Sequence, residues 1–175
     1  ERMSASDAYT HARLTPAVWD WLRSLPATLR WQPDVLLCHG TPQSDTQYFL
    51  ETVVNGRTRM ASAAELAQRM GEESHTHVPR VLQTARWQTL VNPGCGGLPA
   101  LHADQPEPHV VETGSPHARY AIVEHLPHHA DHPHAGWSVA LHAVPYDHES
   151  MARLAERNGR PDWAHALRTG TVSTH

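Results

Sequence analysis

The sequence predicts an α/β fold, and three observations carry that prediction. Capped helical stretches recur along the chain, short apolar β-prone runs lie between them, and histidines stand where such runs give way to glycine- and proline-marked loops. Thr15 is a helix cap with Pro16 at the first helical position, and Val18, Trp19 and Leu22 supply an apolar face to a helix that should end near Pro26. Leu29 to Trp31 and Val35 to Cys38 read as two short strands parted by the turn residues Gln32, Pro33 and Asp34. The second of these, apolar and followed by Gly40, is expected to be a buried strand. It would hold His39 at its tip, where α/β proteins commonly build their sites.

Further along, residues 48–54 suit a strand or a short helix, and the choice stays open. Ser62 and Glu65 form a capping signature for a helix through Met70 that Gly71 ends. Val81 to Ala85 and Trp87 to Val91 alternate as two strands joined by a tight turn. Asn92-Pro93-Gly94-Cys95-Gly96-Gly97-Leu98-Pro99 is a loop whose glycines can turn backbone groups toward a ligand. Residues 101–117 are polar and proline-punctuated, and an irregular surface excursion is expected there, with a possible part in shaping a pocket. Arg119 to Glu124 and Trp137 to Val144 should pair as strands. Their connection, residues 125–136, carries His125, His128, His129, His132 and His134, either as a surface metal site or as a hairpin loop of biased composition. Glu149 to Arg157 and Pro161 to Arg168 read as two terminal helices packed on the sheet.

Composition bounds the function. A chain of 175 residues suits one domain with a sizeable core. Lys and Arg number 14 against 18 Asp and Glu, so no basic field recommends a nucleic-acid partner. Nothing approaches the ~20 apolar residues of a membrane span, and no signal peptide is visible, so a cytoplasmic protein with no membrane partner is expected. Cys38 and Cys95 are expected as reduced thiols. The sequence starts at Glu1 without a methionine, and the chain is expected to be trimmed or cut from something longer. Sixteen histidines raise the prior on metal binding. His75 and His77, two residues apart in an extended segment, would face the same side.

Cys38-His39-Gly40-Thr41-Pro42, His75-Thr76-His77-Val78-Pro79 and Asn92-Pro93-Gly94-Cys95-Gly96-Gly97-Leu98-Pro99 occur in that order, followed by Tyr120-Ala121-Ile122-Val123-Glu124, Pro145-Tyr146-Asp147 and residues 155–161. Together they resemble the C-terminal portion of calcineurin-like metallophosphoesterases, small single-domain bacterial members above all. The resemblance implies that residues 1–175 are the C-terminal part of one such domain, a partial four-layer αββα sandwich. It also implies that His39, His75 and His77 are metal ligands for two divalent ions drawn from Mn, Fe, Zn, Ni or Co. The implied reaction is hydrolysis of a phosphate mono- or diester by a metal-activated hydroxide, with a small phosphate ester as substrate.

The family's Asp-x-His, Gly-Asp and Gly-Asn-His-Asp motifs are not among these residues. Glu72-Glu73-Ser74 stands where an apolar strand and a glycine would precede His75, and Cys95 stands where the family has serine, as a soft ligand, an oxidation-sensitive thiol or a conservative replacement. The chain alone is therefore expected to be incomplete or inactive, with exposed sheet edges that call for a partner such as a second copy in a homo-oligomer. The alternative is a non-catalytic metal-binding or interaction module using His39, His75, His77 and the His125–His134 loop.

Overall fold

A computed structural model describes residues 4–42, 44, 48–69, 77–84, 87–126 and 136–173. The chain is mixed α/β and divides into two compact units, Glu1–Cys38 and His39–His175.

The first unit opens with helix α1 (Ala5–His11), which the sequence reading did not anticipate. Its cap is reciprocal: Ser4 Oγ accepts from the Asp7 amide at 3.1 Å, and the Asp7 carboxylate accepts from the Ser4 amide at 3.2 Å. Helix α2 (Pro16–Ser24) starts as expected, with Thr15 Oγ1 accepting from the Val18 amide at 3.4 Å. Strands β1 (Thr28–Gln32) and β2 (Val35–Cys38) form an antiparallel hairpin across the predicted turn. The expectation of a buried β2 is corrected, because Leu36 and Leu37 are 39% and 48% exposed. Apolar content alone cannot tell a core strand from one arm of a two-stranded hairpin, and here the hairpin has no third strand beside it among the described residues.

The second unit contains a four-stranded sheet in the order β3-β4-β8-β7. Strands β3 (Glu51–Val54) and β4 (Arg57–Met60) are joined at Asn55 and Gly56, both at positive φ, as a tight hairpin turn requires. Strands β7 (Ala100–Ala103) and β8 (His109–Glu112) pair antiparallel, and β8 meets β4 in parallel at Arg57 and Val110. The expected irregular excursion over residues 101–117 is therefore corrected for these two strands. Pro106 and Pro108 belong to the link between them, while His109 and Val111 alternate inward on β8 and are buried. Helix α3 (Ala63–Arg69) carries the predicted box, with the Glu65 carboxylate accepting from the Ser62 amide at 2.7 Å. Leu66 of α3 packs with Leu50 and Ala61, and Phe49, Leu82 and Leu90 close over them.

Leu82 and Leu90 are a facing pair in the hairpin of β5 (Arg80–Gln83) and β6 (Thr89–Asn92). Strands β9 (Ala118–His125) and β10 (Trp137–Val144) pair antiparallel over their full length, so His125 lies in a strand opposite Trp137 and not in the connecting loop. His128, His129, His132 and His134 lie outside the described residues. Helices α4 (His148–Arg157) and α5 (Pro161–Thr169) bury Ala152, Ala155, Ala164 and Leu167 against one another, and the Arg168 guanidinium ties Glu149 to Glu156. No helix among the described residues is long and apolar enough to cross a membrane.

Candidate functional site

The β5–β6 hairpin sets the site. Its outermost pair joins Arg80 to Asn92, so His77 and Cys95 each stand three residues beyond that pair, on opposite arms at the open end. The arms converge, and the His77 imidazole hydrogen-bonds the Cys95 thiol. His77 Nδ1 lies 3.0 Å from the carbonyl oxygen of Leu98. A carbonyl only accepts, so the Nδ1 proton is donated there and the neutral ring carries its lone pair on Nε2.

The loop that presents Cys95 is tightly determined. Asn92 Oδ1 accepts from the Gly94 amide at 2.9 Å, and Gly94 itself has φ +87°. A Cβ at Gly94 would come within 3.0 Å of Arg119 Cβ and 3.2 Å of Pro79, so only glycine fits between the two segments. The Cys95 carbonyl accepts from the Arg119 amide at 3.0 Å, which fastens the loop to the start of β9. Cys95 Sγ accepts from the amides of Leu98 at 3.0 Å and Gly97 at 3.3 Å.

These contacts decide the charge state. Burial pushes the Cys95 thiol up, but the His77 imidazole and the amides of Gly97 and Leu98 outweigh it and bring the thiol down to about 7. His77 moves the opposite way. Its hydrogen bond to Cys95 raises it, burial opposes, and the Leu98 carbonyl adds to the rise. The Tyr146 phenol is raised by its own burial first and by the negative charge of Cys95 second. A thiol and imidazole so placed can ligate a soft metal ion or act as nucleophile and base.

A second polar cluster lies on β3. Glu51 is fully buried, its Oε1 takes the Arg80 Nε at 2.6 Å, and its Oε2 has no hydrogen-bond partner among the described residues. Tyr48 hydrogen-bonds the buried His109, and burial together with the Glu51 charge pushes the Tyr48 phenol up to about 12. The Arg69 guanidinium donates to the Glu51 carbonyl at 2.7 Å. This cluster braces the root of β5 three residues from His77.

The expected metal ligands fare differently. His77 is half-buried in the paired arrangement above, His39 is exposed just after β2, and His75 lies outside the described residues. Among the described residues no group of three or more His, Cys, Asp and Glu is placed to hold a metal ion. Sequence reasoning singled out Cys95 but did not connect it to His77, although both follow from the predicted hairpin once residues are counted outward from its turn. No protein-family model, curated protein or solved structure matches this chain.

Proposed function

We propose that the chain is the C-terminal part of a calcineurin-like metallophosphoesterase domain of αββα type, acting on phosphate mono- or diesters. The observation that supports the reading most is the meeting of His77 with the Asn92–Leu98 loop, two separate stretches of the resemblance joined through the Leu98 carbonyl. A ligating histidine commonly donates its second ring N–H to a carbonyl, and His77 does so.

Two divalent ions, from Mn, Fe, Zn, Ni or Co, would supply the attacking hydroxide and neutralise the phosphoryl oxygens when bound. The described residues do not close such a site, since they gather no set of three His, Cys, Asp or Glu ligands. What this chain contributes is orientation: the hairpin arms fix the His77 ring, and Gly94 lets the loop approach Pro79. On this reading His39 and His75 are further ligands, and the carboxylate ligands come from a segment outside these residues, in cis or in trans.

The test is metal content per purified chain by elemental analysis, beside a His39→Ala, His77→Ala double substitution and a deletion of residues 125–134. Bound metal should fall with the double substitution and survive the deletion. Metal lost only with the deletion removes the reading in favour of a non-catalytic histidine-rich module, and metal absent throughout removes it outright. Where metal is bound, turnover of bis(p-nitrophenyl) phosphate should appear once the carboxylate-bearing segment is supplied.

A further inference from the structure

We propose that the Arg119 guanidinium, rooted beside the Cys95 loop, is an anion-receiving group that takes the phosphoryl oxygens of a phosphate ester. The choice of a phosphoryl group over a carboxylate rests on the phosphoesterase reading, whereas the anion site itself rests on Arg119.

Arg119 differs from the other half-buried arginines among the described residues. Arg69, Arg80, Arg160 and Arg168 each lie within 4.0 Å of a carboxylate, on Glu65, Glu51, Asp162 and Glu149. Arg119 is half-buried too, yet no carboxylate pairs with it among the described residues. Its Nε is shielded from solvent and has no hydrogen-bond partner there. Burying part of a charge is costly unless something of opposite sign meets it, so the unfilled donor calls for an anion.

The place of this side chain ties it to the site. The Arg119 amide donates to the Cys95 carbonyl at 3.0 Å, and its Cβ lies 3.0 Å from the point where a side chain at Gly94 would begin. The same point is 3.2 Å from Pro79, two residues beyond His77. Arg119 therefore leaves β9 on the face turned toward both segments that build the His77–Cys95 pair. Gly96 and Gly97 are exposed, and a Cβ on either would meet nothing within 4 Å, so the loop leaves room for a ligand at this edge. Nε and one Nη of a guanidinium form a planar donor edge that matches two oxygens of a phosphoryl group.

Inorganic phosphate is titrated into the full chain at pH 8, after passage over a chelating resin, and its binding is followed by phosphorus NMR. Ordinary histidines are neutral at that pH, and the resin removes any metal that could hold phosphate instead. The parent should bind phosphate, and acetate should compete with it only weakly. Arg119→Gln should weaken phosphate binding by about tenfold or more, and Arg119→Lys, which keeps the charge without the fork, should recover part of the loss. Arg157→Gln, at an exposed arginine of α4, should change nothing. Circular dichroism identical to the parent chain qualifies each variant. No phosphate binding in the parent, unchanged affinity in folded Arg119→Gln, an equal loss in Arg157→Gln, or acetate binding as tight as phosphate overturns the proposal. In the reconstituted hydrolysis assay, turnover with an unchanged KM in Arg119→Gln overturns it as well and spares the phosphoesterase reading. Phosphate bound through Arg119 without turnover in the parent removes that reading and leaves the anion site standing.

Discussion

Two cysteine–histidine couples occur in this chain, and they teach opposite things. Cys38 and His39 are neighbours in sequence at the end of β2, whereas Cys95 and His77 are 18 residues apart and meet in space. Burial raises the Cys38 thiol, while at Cys95 an imidazole and two amides outweigh the same penalty. Adjacent residues in an extended chain face opposite sides, so sequence neighbours there cannot pair as readily as residues brought face to face across a hairpin mouth. The chemically distinctive couple is the distant one.

The largest effect is expected at the root of the hairpin. Arg80→Ala leaves the buried Glu51 carboxylate without its cation and should destabilise the chain by about 3 kcal/mol, read as a lower denaturant midpoint. Its companion Arg80→Lys should recover part of that loss. Gly94→Ala comes next. A Cβ there meets Pro79 and Arg119 and sits at a left-handed φ, so a loss of about 2 kcal/mol is expected, together with slower Cys95 alkylation as the arms part.

At pH 7 Cys95 should react with iodoacetamide about fivefold faster than Cys38, because a larger thiolate fraction outweighs the lower nucleophilicity of a more acidic thiol. Peptide mapping after brief labelling gives the ratio, and equal labelling would erase the distinction between the couples. His39→Ala sharpens the contrast from the other side, since Cys95 labelling should stay unchanged within the error of the assay.

Much of the fold was legible because its signals are local. Thr15 with Pro16, and Ser62 with Glu65, marked helix starts, and the turn at Gln32, Pro33 and Asp34 marked a hairpin. Ser4 and Asp7 carried an equally plain box that the reading passed over. Strands β7 and β8 were hidden for a physical reason. Each is four residues long, prolines lie in the link between them, and their sheet is completed by the distant β4. Burial of β2 was misjudged because apolar content does not reveal whether a third strand or a helix will cover it.

The site divides in the same way. His77 and Cys95 were both visible as residues, and the hairpin between them was predicted. Their contact required counting outward from the turn to the Arg80–Asn92 pair, and then loop geometry at Gly94 that no periodicity encodes. His39 drew attention because a histidine after an apolar run resembles a strand-end ligand. In the structure it is exposed, and no third donor joins it in a metal-holding group among the described residues.

His77 and the loop amides govern the Cys95 thiol. The direct measurement is the rate of Cys95 alkylation by iodoacetamide from pH 5 to pH 10, in the parent chain with Cys38→Ser and in the same background with His77→Ala. Because the folded thiol is more acidic than an ordinary cysteine, the parent rate should rise through a midpoint of about 7 and be lost as pH falls below it. Removing the imidazole should move that midpoint up toward the ordinary thiol range, with a correspondingly slower reaction at pH 7. A midpoint in the ordinary thiol range in both chains, or one near 7 that His77→Ala leaves in place, would contradict the pairing.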